Sequence, residues 1–314
     1  MIAGGHLHLV ESGPGERGGA RAGPRVVAIG GGHGLAATLR AARTYASGIT
    51  AVVSVADDGG STGRLRAAID RPAPGDLRTC LVALADDSSS LAVAMQHRFA
   101  EGELEGHAFG NLLIVAMAES LGGVAGSDLV AALDEIGRLL NAAGRVLPST
   151  TWPVELHGAT TTGGVSEGQV AVGGSEHLST VSLVPEDAPA CDEAVDAILS
   201  ADQIVLGPGS LYTSVLAATA VYAIRDALAA ADGQFVYVCN LHPQVPESEG
   251  YGVADHVQAL QRHGLEPDVV LFDPDAIGGA ESVATAVPGV LAGASGLAHD
   301  PVLLGKALES IANR

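Results

Sequence analysis

Val26-Val27-Ala28-Ile29 is an unbroken apolar run that stops on Gly30-Gly31-Gly32-His33-Gly34. Apolar positions then recur at helical spacing from Leu35 to Ala46. A continuous apolar run reads as a strand buried on both faces, and a three-to-four-residue recurrence reads as a helix. The pattern therefore predicts a strand over 25–29, a helix over 34–46 and a second strand over 50–56. Helical spacing follows near 76–85, 89–100, 110–121 and 127–143, with Val82, Leu84, Leu112, Leu113, Val115 and Met117 falling on buried faces. Between 145 and 185 the pattern changes. Val146-Leu147, Val154–Leu156, Val170–Val172 and Val181–Val184 are short runs set among Thr and Gly, which predicts a β-rich insert of hairpins or an edge extension. Alternation then resumes: helix 191–200, strand Gln203–Leu206, the turn Gly207-Pro208-Gly209, helix 211–231, strand Phe235–Cys239, helix 253–263 and strand Val269–Phe272. A closing helix is expected over His299–Ile311. Strands alternating with helices predict an α/β fold with a doubly wound, mainly parallel sheet and right-handed crossovers. Residues 1–24, rich in Gly and poor in apolar residues, read as a disordered tail, with His6 and His8 solvated. Residues 25–314 read as a single domain.

Composition narrows the chemistry. The chain has 314 residues, 47% hydrophobic but only 3% aromatic, so its core is built from Ala, Val and Leu. Sixteen basic residues against 36 acidic give a net charge of −20. That field repels phosphate backbones, so no nucleic-acid partner is expected. Lys306 is the single lysine, which excludes a Walker-type phosphate site and Schiff-base chemistry and leaves arginine as the cation of any site. Cys80, Cys191 and Cys239 are widely spaced and imply neither a disulfide framework nor a zinc site; Cys80 and Cys239 sit in apolar runs. No stretch reaches membrane-spanning length, so a cytoplasmic protein without membrane insertion is expected.

The candidate chemistry lies at strand ends. A strand that breaks on glycines and reopens as a helix brings backbone N–H groups and a positive dipole end to a ligand phosphate. Gly31, Gly32, His33 and Gly34 are the candidates in the first such turn. It is not the dinucleotide fingerprint, because Leu35 stands where that motif requires its last glycine. The second strand ends on Asp57-Asp58, followed by Ser61 and Arg64. These carboxylates suit ribose hydroxyls or Mg²⁺ held through water, and a helix cap or solvated loop explains them equally well. Arg64, Arg66 and Arg78 are candidate phosphate forks or surface ion-pair partners. His107 and Asn111 flank an expected helix start, where they bind ligand or simply cap. Gly207, Gly209, Ser210, Tyr212 and Thr213 make a second strand–turn–helix cradle, with N-capping as the alternative. Asn240 and Tyr251 belong to a polar region after a third strand. No hydrolytic triad is visible.

Several long blocks together resemble one family: IGGGHGL, SVADDGGSTGRLR, PGDLRTCLVALA, GHAFGNLL, VLPST, ADQIVLGPGSLYTS and CNLHPQVPES followed by GYGVADHV. Over about residues 25–273 the chain is similar to gluconeogenesis factors of the YvcK type, in the CofD-like superfamily with 2-phospholactate transferase. The resemblance implies a Rossmann-like sheet, binding of a UDP-sugar such as UDP-N-acetylglucosamine, and a role in carbon metabolism, cell-wall synthesis and cell shape. It carries ligand roles onto Gly31, Gly32, Asp57, Asp58, His107, Asn111, Gly209, Ser210 and Thr213. His33 departs from the family's usual Thr, the loop 240–248 differs, and the match weakens after 273. A non-catalytic UDP-sugar-binding regulator is one expectation, acting as a homo-oligomer with regulatory protein partners. A Mg²⁺-dependent phosphoryl-group transferase using Asp57 or Asp58 is the other. A nicotinamide dehydrogenase is disfavoured by the broken fingerprint, and Mg²⁺ is the one cofactor considered.

Overall fold

The computed structural model describes residues 23–68, 72–121 and 127–314. Most of the stretch read as a tail, up to residue 22 and including His6 and His8, lies outside the described residues. The strands are β1 (Arg25–Gly30), β2 (Gly48–Val53), β3 (Arg145–Pro148), β4 (Glu155–Thr160), β5 (Val165–Glu167), β6 (Leu178–Val184), β7 (Gln203–Leu206), β8 (Gln234–Val238), β9 (Val269–Phe272) and β10 (Ala286–Pro288). The helices are α1 (Gly32–Ala42), α2 (Gly60–Ala68), α3 (Gly75–Leu84), α4 (Ser90–Gln96), α5 (Phe109–Leu121), α6 (Ser127–Leu139), α7 (Gln169–Gly173) and α8 (Asp192–Leu199). After β7 a π-helical segment, Leu211–Leu216, runs into α9 (Ala217–Thr219), and α10 (Tyr222–Ala230), α11 (Val253–Arg262) and α12 (Pro301–Ala312) complete the chain.

Seven strands form one parallel sheet in the order β10-β9-β8-β7-β1-β2-β3. The chain moves outward one way from β1 through β2 to β3, returns to β7 beside β1, and moves outward the other way. This is the doubly wound Rossmann-like order, and its direction reverses between β1 and β7. Right-handed crossovers then put the two sets of helices on opposite faces. Ala28, Ile29, Ile204, Val205 and Leu206 are fully buried, which is why they read as unbroken apolar runs. Gln203 is buried beside them and needs partners: it accepts from Tyr45 Oη at 2.7 Å and donates to the Leu308 carbonyl at 3.1 Å. The three cysteines are free and buried.

The structure differs from the sequence reading in four places. The β-rich insert is present but narrower than 145–185, which also holds an edge extension of the main sheet. β3 pairs with β2 in the main sheet, where Val146 and Leu147 are buried, and only β4, β5 and β6 form a separate antiparallel sheet, with α7 between β5 and β6. Helix 211–231 is broken at Ala220 and Val221 and turns by 76°. Val221 is extended there, and Thr219 Oγ1 bonds back to the Leu216 carbonyl at 3.1 Å. The polar turn after β2 opens a helix, α2, which its sequence hid because GSTGRLRAA carries almost no apolar stripe. β10 extends the sheet beyond the last expected strand. Among the described residues no single helix is long and apolar enough to cross a membrane.

α12 closes the fold against α1. Asp300 Oδ1 caps it, accepting from the Val302 and Leu303 amides at 2.8 and 3.0 Å. Gly305 allows the close approach: a Cβ there would stand 2.6 Å from Thr44 Oγ1 and 3.0 Å from the Ala41 carbonyl oxygen. Gly305→Val is therefore expected to destabilise the fold by about 1–3 kcal/mol through overpacking, despite the better helix propensity of valine. The check is a lowered urea midpoint at unchanged slope.

Candidate functional site

Ligands of open α/β sheets sit where the strand order reverses, outside the carboxyl ends of the strands. In this chain that point lies between β1 and β7, and both strands end in glycine turns. Gly32 has φ +61, and Gly207 has φ +79, conformations that side chains resist. The two turns touch through backbone alone. A Cβ on residue 34 would overlap the Pro208 carbonyl and lie 2.9 Å from Gly209 Cα. Around this contact the turns are tied down. Thr38 Oγ1 donates to the Gly207 carbonyl at 2.7 Å. The Asn240 side chain accepts from the Gly209 amide at 3.0 Å and donates to the Gly209 carbonyl at 2.9 Å. A cavity of about 300 Å³ opens beside them, lined by His33, Gly34, Pro208, Asn240, His242 and His299 among others.

On the β2 side of the crevice three carboxylates meet backbone. Asp57 Oδ1 accepts from the Gly59 amide at 2.9 Å. Its other oxygen faces Gly75, where a Cβ would come within 2.9 Å. Asp58 turns elsewhere: its Oδ1 accepts from the Val170 amide at 2.9 Å, at the start of α7. Adjacent aspartates thus serve different elements. Asp57 instead pairs electrostatically with Asp76, the second residue of α3. Burial, and then the Asp57 charge, push the Asp76 carboxyl up to about 7, while the Gly32 amide and Arg78 pull the other way. A side chain on Gly31 would run into Asp76 Oδ2. Asp76 therefore stands directly beneath the first glycine turn.

A polar network continues from there. Ser61 Oγ lies 3.2 Å from His107 Nδ1 and accepts from the Asn111 amide group at 3.2 Å and from the Ala108 backbone amide at 3.3 Å. Arg78 Nε donates to Asn111 Oδ1 at 2.9 Å. Arg64 donates to the Glu105 carbonyl at 2.6 Å. Burial, and then Arg64 and Arg98, hold the His107 imidazole below its usual range. Arg66 spends its guanidinium on the carbonyls of Ala56, Asp57 and Val154 and so braces the chain leaving β2.

The second cradle is already filled by the chain itself. Glu247 accepts from the Tyr212 amide at 2.6 Å and from Thr213 Oγ1 at 2.8 Å, at the start of the π-helical segment. Burial raises its carboxyl above the usual range. Ser210 precedes this segment and makes no side-chain cap. The Tyr212 ring is fully buried and its hydroxyl meets the Leu178 carbonyl, Tyr251 and Arg262. Tyr251 lines a different cavity of about 370 Å³, with Arg262, His177 and Glu249.

The structure thus brings together Gly31, Gly32, His33, Gly34, Gly207, Gly209 and Asn240 at the switch point, with Asp57 next to them and Ser61, Arg64, His107 and Asn111 on one flank. It sets Asp58, Tyr212 and Tyr251 apart, and gives Thr213 to Glu247. Sequence reasoning missed Asp76 and Glu247. Asp76 was visible as the first acid of a helix after Pro74-Gly75; Glu247 sits in a Pro-rich loop with no distinguishing signal. Among the described residues no three His, Cys, Asp or Glu side chains are grouped to hold a metal. Asp57 with Asp76 still suits Mg²⁺, which takes one or two carboxylates and fills its shell with water and phosphate oxygens.

The family model of 2-phospho-L-lactate transferase CofD matches residues 26–285. A gluconeogenesis factor of Halalkalibacterium halodurans is 41% identical over 251 residues, 78% of this chain and 76% of that protein. A relative from Nostoc sp. is 43% identical over 242 residues, which are 76% of this chain and 52% of that protein, so the chain spans about half its length. The crystal structure of a UPF0052 family member from Bacillus halodurans superposes with a TM-score of 0.83 at 34% identity, covering 91% of this chain and 98% of that one. The chain therefore belongs to the CofD family, in which it stands beside proteins named gluconeogenesis factor.

Proposed function

We propose that this protein binds a nucleotide-sugar of the UDP-N-acetylglucosamine type across the switch point and acts as a regulator, linking carbon metabolism to cell-wall synthesis and cell shape. The observation that carries the reading is the backbone contact between the two glycine turns. It leaves one crevice edged by two stretches of bare backbone, with a helix start at Gly32 and no lysine needed. A diphosphate fits amides and a helix dipole, and the adjoining cavity of about 300 Å³ takes the neutral part of the ligand. On this reading Asp57 accepts from sugar hydroxyls. The relatives named gluconeogenesis factor support the regulatory half. On this reading the protein works in the cytoplasm, self-associated, and passes ligand occupancy to a protein partner.

One observation favours a second reading, Mg²⁺-dependent phosphoryl- or phospholactyl-group transfer. Asp57 and Asp76 lie near enough beside the first glycine turn for the Asp57 charge to raise the Asp76 carboxyl, and a divalent cation would relieve that repulsion. Mg²⁺ bound there would neutralise charge on a transferring phosphate. Asp57 and Asp76 would hold it, and Arg78 would add positive charge.

Gly32→Val forces a branched side chain into φ +61 at the helix start and is expected to weaken UDP-N-acetylglucosamine binding more than about tenfold, or about 1.4 kcal/mol. Calorimetry on folded variant reads this directly; undiminished affinity removes the turn from the site. A carboxyl whose folded pKa is raised from 3.8 to about 7 lowers stability progressively as pH climbs through that window. Asp76→Asn should melt above the native protein at pH 7.5, with the margin closing as pH falls towards 4. A constant margin across that range contradicts the assignment. Mg²⁺ should shrink the margin at pH 7.5 on the transferase reading and leave it unchanged on the other. Turnover separates binder from enzyme. Overnight incubation with UDP-N-acetylglucosamine, with and without Mg²⁺, is expected to return the nucleotide intact on ion-exchange separation. Metal-dependent release of UMP or UDP that disappears in Asp57→Asn would replace the regulator with the transferase.

A further inference from the structure

Two guanidinium groups meet one turn of this strongly acidic chain and a third reaches the helix that follows it, and among the described residues none of the three is in ion-pair contact with a carboxylate. Arg64 and Arg98 are anchored on consecutive carbonyls, those of Glu105 at 2.6 Å and Gly106 at 2.7 Å. The next residue, His107, touches Ser61 Oγ at 3.2 Å, and the same oxygen receives Asn111, whose Oδ1 takes Arg78 Nε at 2.9 Å. The cluster is closely built. A side chain at Gly106 would stand 2.9 Å from Arg64 Nη2, and one at Gly110 would stand 2.7 Å from Arg78 Cδ. Three elements contribute: α2, α3 and the segment joining α4 to α5.

Among the described residues no acidic group forms an ion pair with Arg64, Arg78 or Arg98, although Glu101, Glu103 and Glu105 lie in the adjoining loop. Each guanidinium carries five N–H donors. Arg64 and Arg98 each commit one group to a carbonyl, and Arg78 commits Nε to Asn111 and a long contact to Thr79. Burial and then Arg98 lower the Arg78 affinity for its proton, with Asp76 acting the other way, and burial followed by Arg64 and Arg98 does the same to His107, so the positive charges are near enough to repel. Asp76 offsets part of the Arg78 charge, and Arg64 and Arg98 have no acidic group in ion-pair contact among the described residues, so an anion joining them would relieve the remaining repulsion.

We propose that Arg64, Arg78, Arg98 and His107 form a second anion site, on the α2–α5 flank of the crevice, that takes a phosphate group of a ligand other than the nucleotide-sugar. Guanidiniums arriving from three elements suit the several faces of a tetrahedral phosphate, whereas a carboxylate offers one edge to one fork. The site is continuous with the first through α3: Asp76 lies under the glycine turn, and Arg78, two residues on, reaches the cluster. The proposal rests on the nucleotide-sugar reading only for the identity of the neighbouring site. Two anionic ligands would then flank the Asp57–Asp76 pair, one on each side.

The test is a calorimetric titration of inorganic phosphate into the full chain at low ionic strength. Saturable binding is expected in the native protein. The double variant Arg64→Gln/Arg98→Gln should lose at least about tenfold in affinity, the usual consequence of removing charged hydrogen bonds. Both side chains are exposed, and an unchanged melting temperature confirms that the variant is folded; Arg98→Gln alone serves if it is not. Gly32→Val, which disables the glycine turn, should keep phosphate affinity. Absence of saturable binding, undiminished affinity in the folded arginine variants, or loss in Gly32→Val would each overturn the second site. UDP-N-acetylglucosamine titrated into the same native protein tests the first site separately: its failure removes the nucleotide-sugar reading and leaves the phosphate result standing.

Discussion

Everything at the candidate site depends on the Pro208 carbonyl lying where a side chain on residue 34 would have to be. Parallel strands β1 and β7 bring their carboxyl ends side by side, but strand pairing alone leaves room for side chains between the turns that follow. Glycine at 34 removes that room. The turns then meet as bare backbone, with their amide groups crowded into one crevice. The rest of the site is arranged around this contact: Asn240 and Thr38 hold one turn, and Asp76 supports the other from below.

Much of this was legible in the chain because the sheet is buried on both faces. Beyond their first residues β1, β7 and β8 are strands without a charged residue, and β9 is apolar from end to end, so the pattern found each within a residue or two. Elements held by tertiary contacts were less visible. α2 carries few apolar residues and lies where polar turn chemistry was expected. β3 is four residues long and looks like its antiparallel neighbours; only its partner, β2, assigns it to the main sheet. The 211–231 run has helical spacing throughout, but the buried Val221 is extended and breaks it.

Site residues divide in the same way. Those set by local backbone demands, the glycines above all, were evident from spacing. Those whose role depends on distant partners were not. Asp57 and Asp58 are neighbours in sequence, yet one faces Gly75 and the other serves α7, 112 positions away. Asp76 acquires its character from burial and from Asp57, neither of which a linear pattern displays. Arg64 and Arg78 were candidates despite the net charge of −20, but Arg98 joins them only when α2, α3 and the α4–α5 connection assemble.

The loop after β8 grips the Gly-Pro-Gly turn twice. Asn240 holds Gly209, and seven residues on, Glu247 holds Tyr212 and Thr213. Two short stretches of chain are thereby fastened into a closed ring, 209–213 on one side and 240–247 on the other. A ring of this kind cannot loosen at one clasp while the other remains fully relaxed. Loop and turn must move as a unit, so whatever displaces the loop at its outer end is felt at the Gly-Pro-Gly turn and at the backbone it touches.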